Sequence, residues 1–568
     1  NHGTSRGGGG FNRELKFLGL FLAFISFSNL TFSDNTFALY TPTLSASVDQ
    51  ANLQVNGNRV INSTDKTTEI PFNFTVNTNN RTGYTATLST ETENTALTNV
   101  GSASSTKIDS ISNILSLNNL PNNTWGYKFG SSTKYAPIPA LSTPAQILQT
   151  AEKTNGNESN QLSIGMKLAD NLESGNYQNK LILSFVSNPY TMHALMTTGI
   201  DFNTKIKTFE TGENRIEYIS RSTTAPSSGV NTVSLEDGVN SDYEIKAWYD
   251  AATKTVYYYT EAEKIFLNDD SNAMFHSLVN LKSLDVASFD TSKVRGMGNM
   301  FFGDEKLTTL DLSNFDTQNL TNMDKMFYGM SNLTSLNIGS FDTSKVTNMD
   351  SLFYGMVNIE NINVSNFDTR SVTNMNHMFS SMHKLKQLQL PATFNTSGVT
   401  DMGYMFYNSK SLTSLDVSMF NTEKVTNMRE MFGYLESVTN LKFGSGFNTK
   451  NVTDMYGMFG TLCSMRELDL SGAVFDTAEV NDFDAMFSVF GCTSGVGVLE
   501  KIYVNNDFDL TSAKIYKASN PTSNLDIFHK QPLLRGAMGS YWTNPGDANF
   551  DGLRIDRAGV KGYFTRKP

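Results

Sequence analysis

Three groups of side chains have the types and spacing to do chemistry. Asp290, Asp316, Asp342 and Asp368 recur every 26 residues within F-D-T, and stacked one above another they would form a carboxylate ladder able to hold cations. Asp547, Asn549, Asp551 and Gly552 match the opening of a calcium loop, D-x-N-x-D-G. Cys463 and Cys492 are the only cysteines. They exclude a cysteine-ligated zinc finger and leave room for a single disulfide.

Each group has a plainer reading. Asn395, Asn421 and Asn448 replace the acid before Asp476 restores it. A position that gives up charge but keeps the acceptor oxygen is a turn former bonded to backbone N–H groups. The twelfth position of the calcium-like loop is Ala558, where a bidentate carboxylate is needed, so the segment reads as a terminal cap. Methionines such as Met323, Met326 and Met330 invite a soft-metal reading, yet Leu352, Leu435, Leu462 and Phe483 stand in for them in other copies. A column that accepts Leu and Phe needs bulk, not sulfur. The six histidines form no H-E-x-x-H and none lies beside a plausible nucleophile; His377 and His383, six apart, do not share a helix face. The expectation is a chain that is not an enzyme, with no metal and no cofactor.

The elements that carry these residues repeat. Phe275, Phe301, Phe327, Phe353, Phe379, Phe406, Phe432, Phe459 and Phe487 follow one another at steps of 26 to 28, and Phe289 to Phe475 form a second column. A fixed period of this length means stacked units, here nine. Each unit opens with L-x-x-L-x-L, as in Leu307, Leu310 and Leu312, a short strand with its last two apolar residues inward. It continues with T-N-M-x-x-M-F-x-x-M (321–330), whose apolar residues at i, i+3, i+4 and i+7 predict a short helix capped by Asn322 or Thr321. Cys463 and Cys492 hold nearly equivalent places in adjacent units. Rungs about 4.8 Å apart bring them within the roughly 4.4–6.8 Å a disulfide spans between Cα atoms. A bridge is the expectation for an exported protein, two separate buried thiols the alternative.

Upstream the patterning changes. Ile70, Phe72, Phe74 and Val76, then Tyr84, Ala86 and Leu88, then Leu162 to Leu168 and Leu181 to Phe185 alternate with polar residues, the mark of half-buried antiparallel strands. Trp125 reads as a core ring whose indole N–H finds a partner. Arg13 and Lys16 precede an apolar run, 17–32, and Thr36 and Ala38 are small at −3 and −1 of a cut after Ala38, as in a secretory signal peptide; an uncleaved anchor is the alternative. The expected layout is a signal peptide (1–38), an all-β immunoglobulin-like sandwich (39–190), linker or irregular structure (191–240), an N-terminal cap with a hairpin at 244–260 (241–273), an α/β leucine-rich-repeat solenoid (274–510) and a C-terminal cap (511–568).

The repeat LTTLDLSNFDTQNLTNMDKMFYGM (307–330), the lead-in YYYTEAEKIFLNDDSNAMF (257–275) and the ending RIDRAGVKGYFT (554–565) resemble those of BspA-like leucine-rich-repeat surface proteins of bacteria. The resemblance implies an exported or cell-surface protein with a role in adhesion or host interaction, and no catalytic residues; no LPxTG motif is present, so the attachment is open. The outward strand residues form one polar row along the expected concave sheet: Asp285, Asp311, Asn337, Asn363, Gln389, Asp416, Lys442 and Asp469, with Tyr503 beyond. This row is the candidate surface for a protein or glycan on a host or neighbouring cell; a merely solvated face is the alternative. With 44 basic against 55 acidic residues and a net charge of −11, nucleic acid is not an expected partner. A membrane enters only through the export signal or an unknown anchor. A structural spacer or envelope component is the other functional reading.

Overall fold

A computed structural model describes residues 14–16, 21–24, 37–100, 105–521 and 526–567. The chain divides into two compact units, one formed by Tyr40–Thr191 with the segment up to Thr36, the other by Phe37–Leu39 with Met192–Pro568. Most of the expected signal peptide, 1–38, lies outside the described residues; within it, Glu14–Lys16 and Phe21–Phe24 are strands of the first unit, Phe21–Phe24 running parallel to Leu181–Ser187.

In the first unit, alternation becomes two sheets over one core. Thr67–Thr78 pairs antiparallel with Glu158–Lys167 along ten positions, and Glu158–Lys167 pairs on its other side with Thr124–Phe129. Tyr84–Thr90 lies between Leu181–Ser187 and Ala145–Gln149 in the second sheet. The inward residues meet between the sheets: Phe74 of the first stands 5.3 Å from Phe185 of the second. Trp125 is fully buried and its indole N–H donates to the Thr95 carbonyl at 3.0 Å.

The second unit is a leucine-rich-repeat-like coil whose turns, or rungs, stack their identical side chains. The nine phenylalanines from Phe275 to Phe487 follow one another at centroid separations of 5.5–5.9 Å. Phe528 adds a tenth ring, 5.4 Å from Phe487. It comes from a rung that the sequence reading assigned wholly to a cap: the N–H groups of Phe487 and Val489 donate to the carbonyls of Ile527 and His529. The helix Thr511–Ser519 lies in the intervening insertion. At the other end Phe202 meets Phe275 edge-on at 5.5 Å.

Two expectations need correction here. The segment 191–240, read as linker or irregular structure, belongs to the coil's N-terminal end. It carries the helix Gly199–Lys207, which supplies Phe202, and the strand Tyr218–Arg221, which pairs with both Thr255–Tyr259 and Ser283–Leu284. The hairpin of Lys246–Asp250 and Thr255–Tyr259 forms, but it reaches the first rung through Tyr218–Arg221.

The second correction concerns the short helix of each rung, which is a pair of tight turns. Lys325 at φ +53° and Gly329 at φ +71° lie in the left-handed region, which ends any right-handed helix. The first of these positions is left-handed in nine rungs, from Ala273 through His377 and Tyr404 to Ala485. N–H groups then alternate in direction. Those of Met326 and Tyr328 close turns onto Met323 and Lys325, while those of Lys325, Phe327 and Gly329 reach the next rung at Asp350, Leu352 and Tyr354. Two successive turns present Met323, Met326, Phe327 and Met330 to the core, all fully buried, with the same spacing that a helix would give.

Candidate functional site

The candidate row sits on L-x-x-L-x-L, where the outward residues are flanked by buried or partly buried ones, such as Leu310 and Leu312 around Asp311 and Leu336 and Ile338 around Asn337. The continuous sheet expected beneath the row is interrupted. Thr309–Asp311 pairs with Ser335–Asn337, Ser414–Asp416 with Asn440–Lys442, and Glu467–Asp469 with Lys501–Val504 and thence Phe564–Arg566. No strand pairing joins residues 361–364 or 387–390 to a neighbour among the described residues. The ladder that passes through every rung lies on the turn side, where parallel bridges run from Asp270 through Asn322, Asn348, Asn374 and Asp401 to Asp482.

The members of the row are differently occupied. Asp285, Asp311, Asn337, Asn363, Asp416 and Asp469 each accept the backbone N–H two residues on at 2.9–3.2 Å, an Asx turn that starts the descent from the strand. Backbone and hydroxyl bonds from Ser313 hold the Asp311 carboxyl below its usual range, and the Ser418 hydroxyl does the same for Asp416. Lys442 pairs with Asp416 at 3.1 Å, and Lys567 with Asp469. Gln389 and its neighbours Asn361 and Gln387 are exposed and make no hydrogen bond among the described residues.

The F-D-T carboxylates are turn formers. From Asp290 through Asn395 and Asn448 to Asp509, the side-chain oxygen accepts the N–H of residue i+2 at 2.8–3.2 Å, acid and amide alike. In the calcium-like segment Asp551 pairs with Arg554 at 2.9 Å and Asp547 accepts from Asn544 at 3.0 Å. Among the described residues no group of three or more His, Cys, Asp or Glu is placed to hold a metal. Cys463 and Cys492 are joined as a disulfide with Cα atoms 5.4 Å apart.

Two features escaped the sequence reading. The first is the threonine of F-D-T. Thr317 is buried, donates its hydroxyl to the Asp342 carbonyl of the next rung and accepts that residue's N–H; the column continues through Thr343, Thr396, Thr422 and Thr449. Its strict recurrence was the available signal. The second is a half-exposed stack on the turns: His276, Phe302, Tyr328 and Tyr354 at 4.4–4.8 Å, face to face. Because their faces cover one another, they present edges to solvent and act as a second structural column rather than a stacking platform. Farther along, Arg429 bonds the Tyr404 hydroxyl at 3.0 Å, lies 3.9 Å from the Tyr456 ring centroid and pairs with Asp454 at 3.3 Å.

Two buried acids stand apart from the row. Burial raises the Asp304 carboxyl well above its ordinary range; one oxygen accepts the Leu278 N–H at 2.8 Å and the other has no partner. Burial and the neighbouring Asp482 push Asp484 up to about 6.

A family profile described as "Mycoplasma protein of unknown function, DUF285" matches residues 269–392, 350–462 and 413–494, overlapping windows that fall on the coil and cover less than half of the chain. The coil is therefore a repeat segment similar to that family. No curated protein matches. Among solved structures, the crystal structure of a TLR13–ssRNA13 complex is similar at 14% identity and a TM-score of 0.18, over 54% of this chain and 43% of that one. At that score the likeness carries no fold argument.

Proposed function

We propose that this chain is a non-catalytic bacterial surface protein, exported and displayed outside the cell, in which an immunoglobulin-like sandwich accompanies a leucine-rich-repeat solenoid that adheres to host or neighbouring cells. The observation that carries this reading is the outward strand row, one residue per rung, half-buried at Asp285 and Asp469 and exposed from Asp311 to Lys442, over a core committed to packing. Extended arrays of this kind suit recognition of a large or repetitive partner. The similarity of the repeats to the DUF285 profile and to BspA-like proteins supports the surface assignment. At the two ends of the coil, Tyr218–Arg221 pairs with the first rung and Phe564–Arg566 with Lys501–Val504.

The test is binding of the purified full chain to cultured cells and to immobilised matrix proteins, beside a variant carrying Asp416→Ala and Lys442→Ala, which removes the ion pair in the row. Saturable binding weakened by the double variant supports adhesion through this face. Absence of binding, or regular self-association without any ligand, overturns it in favour of the spacer.

A further inference from the structure

We propose that the three middle rungs of the strand face, through Asn337, Asn361, Asn363, Gln387 and Gln389, bind a neutral glycan; this rests on the adhesion reading above and names its ligand class. The outward positions at 335, 337, 361, 363, 387 and 389 are Ser, Asn, Asn, Asn, Gln and Gln, without a formal charge in a chain of net charge −11. Beside the patch Glu360 and Lys386 pair at 2.9 Å, and Asp311 lies alongside Asn337 in strand register. The strand positions 335–337, 361–363 and 387–389 themselves offer no cation to an anionic ligand, with exposed Lys384 lying off them near Glu360, and a cationic ligand is better served by Asp285 and Asp311 above.

Within this patch the hydrogen-bonding capacity of Asn361, Gln387 and Gln389 is uncommitted, which sets these three apart from Asn337 and Asn363, whose oxygens accept the N–H two residues on. Asn361, Gln387 and Gln389 bond to nothing among the described residues, and Asn363 uses only its oxygen, on the Ser365 N–H. Each free amide offers two donors and an acceptor side by side, the complement of adjacent sugar hydroxyls, which both donate and accept. Here, too, the strand ladder is open, so the N–H and C=O groups of 361–364 and 387–390 are not taken by a neighbouring rung. Rungs about 4.8 Å apart repeat at close to the length of one pyranose unit, allowing successive sugars to meet equivalent amides. A folded protein partner fits less well, because the outward strand positions 335, 337, 361, 363, 387 and 389 include no aromatic or arginine to anchor it.

The experiment uses the full chain on an array of neutral and sialylated oligosaccharides, with Asn361→Ala, Gln387→Ala and Gln389→Ala combined in one variant. These exposed side chains have no partner to lose, so the variant keeps the melting temperature of the parent. The expected result is binding of neutral oligosaccharides by the parent, weakened at least about tenfold in the variant. Equal binding by parent and variant, or binding of sialylated members alone, overturns the inference. Adhesion to cells without binding to any oligosaccharide overturns it while leaving the adhesion reading intact; absence of both overturns the adhesion reading as well.

Discussion

The hydroxyl of Thr317 occupies both backbone groups of Asp342, donating to its carbonyl at 3.1 Å and accepting its N–H at 2.7 Å. One side chain thus fastens a rung to the next at a point where no strand pairing exists. Replacing it with Val, nearly the same shape, leaves the part-buried N–H and carbonyl of Asp342 without this partner. Thr317→Val is expected to cost about 1–3 kcal/mol in urea unfolding. Thr317→Ser, which keeps the hydroxyl, is expected to cost much less.

The ring column sets a larger scale. Phe327 is fully buried between Phe301 and Phe353, each 5.9 Å away. Phe327→Ala is expected to lose about 3–5 kcal/mol. Tyr328→Ala, one residue on but half-exposed, is expected to lose about 0.5–1.5 kcal/mol from its stacking. Equal losses at the two sites would contradict the assignment of one to the core and the other to a surface stack.

Backbone handedness is testable without disturbing the core. A methyl at Gly329 would meet nothing closer than 3.8 Å, so Gly329→Ala isolates the left-handed φ of +71° and is expected to cost about 1–2 kcal/mol. Lys325→Gly, at φ +53°, is expected to be neutral or stabilising, whereas in a helix it would cost about 1 kcal/mol.

The disulfide joins residues 29 apart in sequence. Reduction is expected to lower stability by about 2–4 kcal/mol, read as a reductant-dependent shift of the urea midpoint. Cys463→Ser with Cys492→Ser should abolish the dependence.

Asp484 gives a pH signature. Its carboxyl is pushed up to about 6 from an ordinary 3.8 by burial and Asp482, so the folded chain holds that proton more tightly than the unfolded chain. Its contribution is fully present below about pH 4, declines as pH rises through 6 and is constant beyond. The raised carboxyl of Glu430 has the same sign, so the measurement is a difference: between pH 4.5 and 7.5 the parent is expected to lose more stability than Asp484→Asn. Equal losses would remove Asp484 from the account.

The coil was legible because Phe and Leu recur at a period that only stacking explains. The turns were not, because two tight turns place Met323, Met326, Phe327 and Met330 inward at the same spacing as one helical face, and spacing carries no sign of φ. Phe528 stayed hidden because it follows Phe487 at a step of 41, with the helix Thr511–Ser519 in between, far from the repeat's own step. Residues 191–240 gave no periodic signal because their strands are two to four residues long and find partners elsewhere in sequence. In the candidate row the residue types were readable, but which side chains were already committed to Asx turns was not, since Asp311 and Gln389 look alike as polar outward positions until their bonds are seen.

The central claim is that rungs are joined continuously on the turn side and interrupted on the strand side. Residue-resolved hydrogen exchange on the full chain tests it directly. Slow exchange at Phe327, Phe353 and Phe379, with fast exchange at Asn363 and Gln389, is the expected result. Strand amides at 361–364 and 387–390 as strongly protected as Phe327, Phe353 and Phe379 would contradict it.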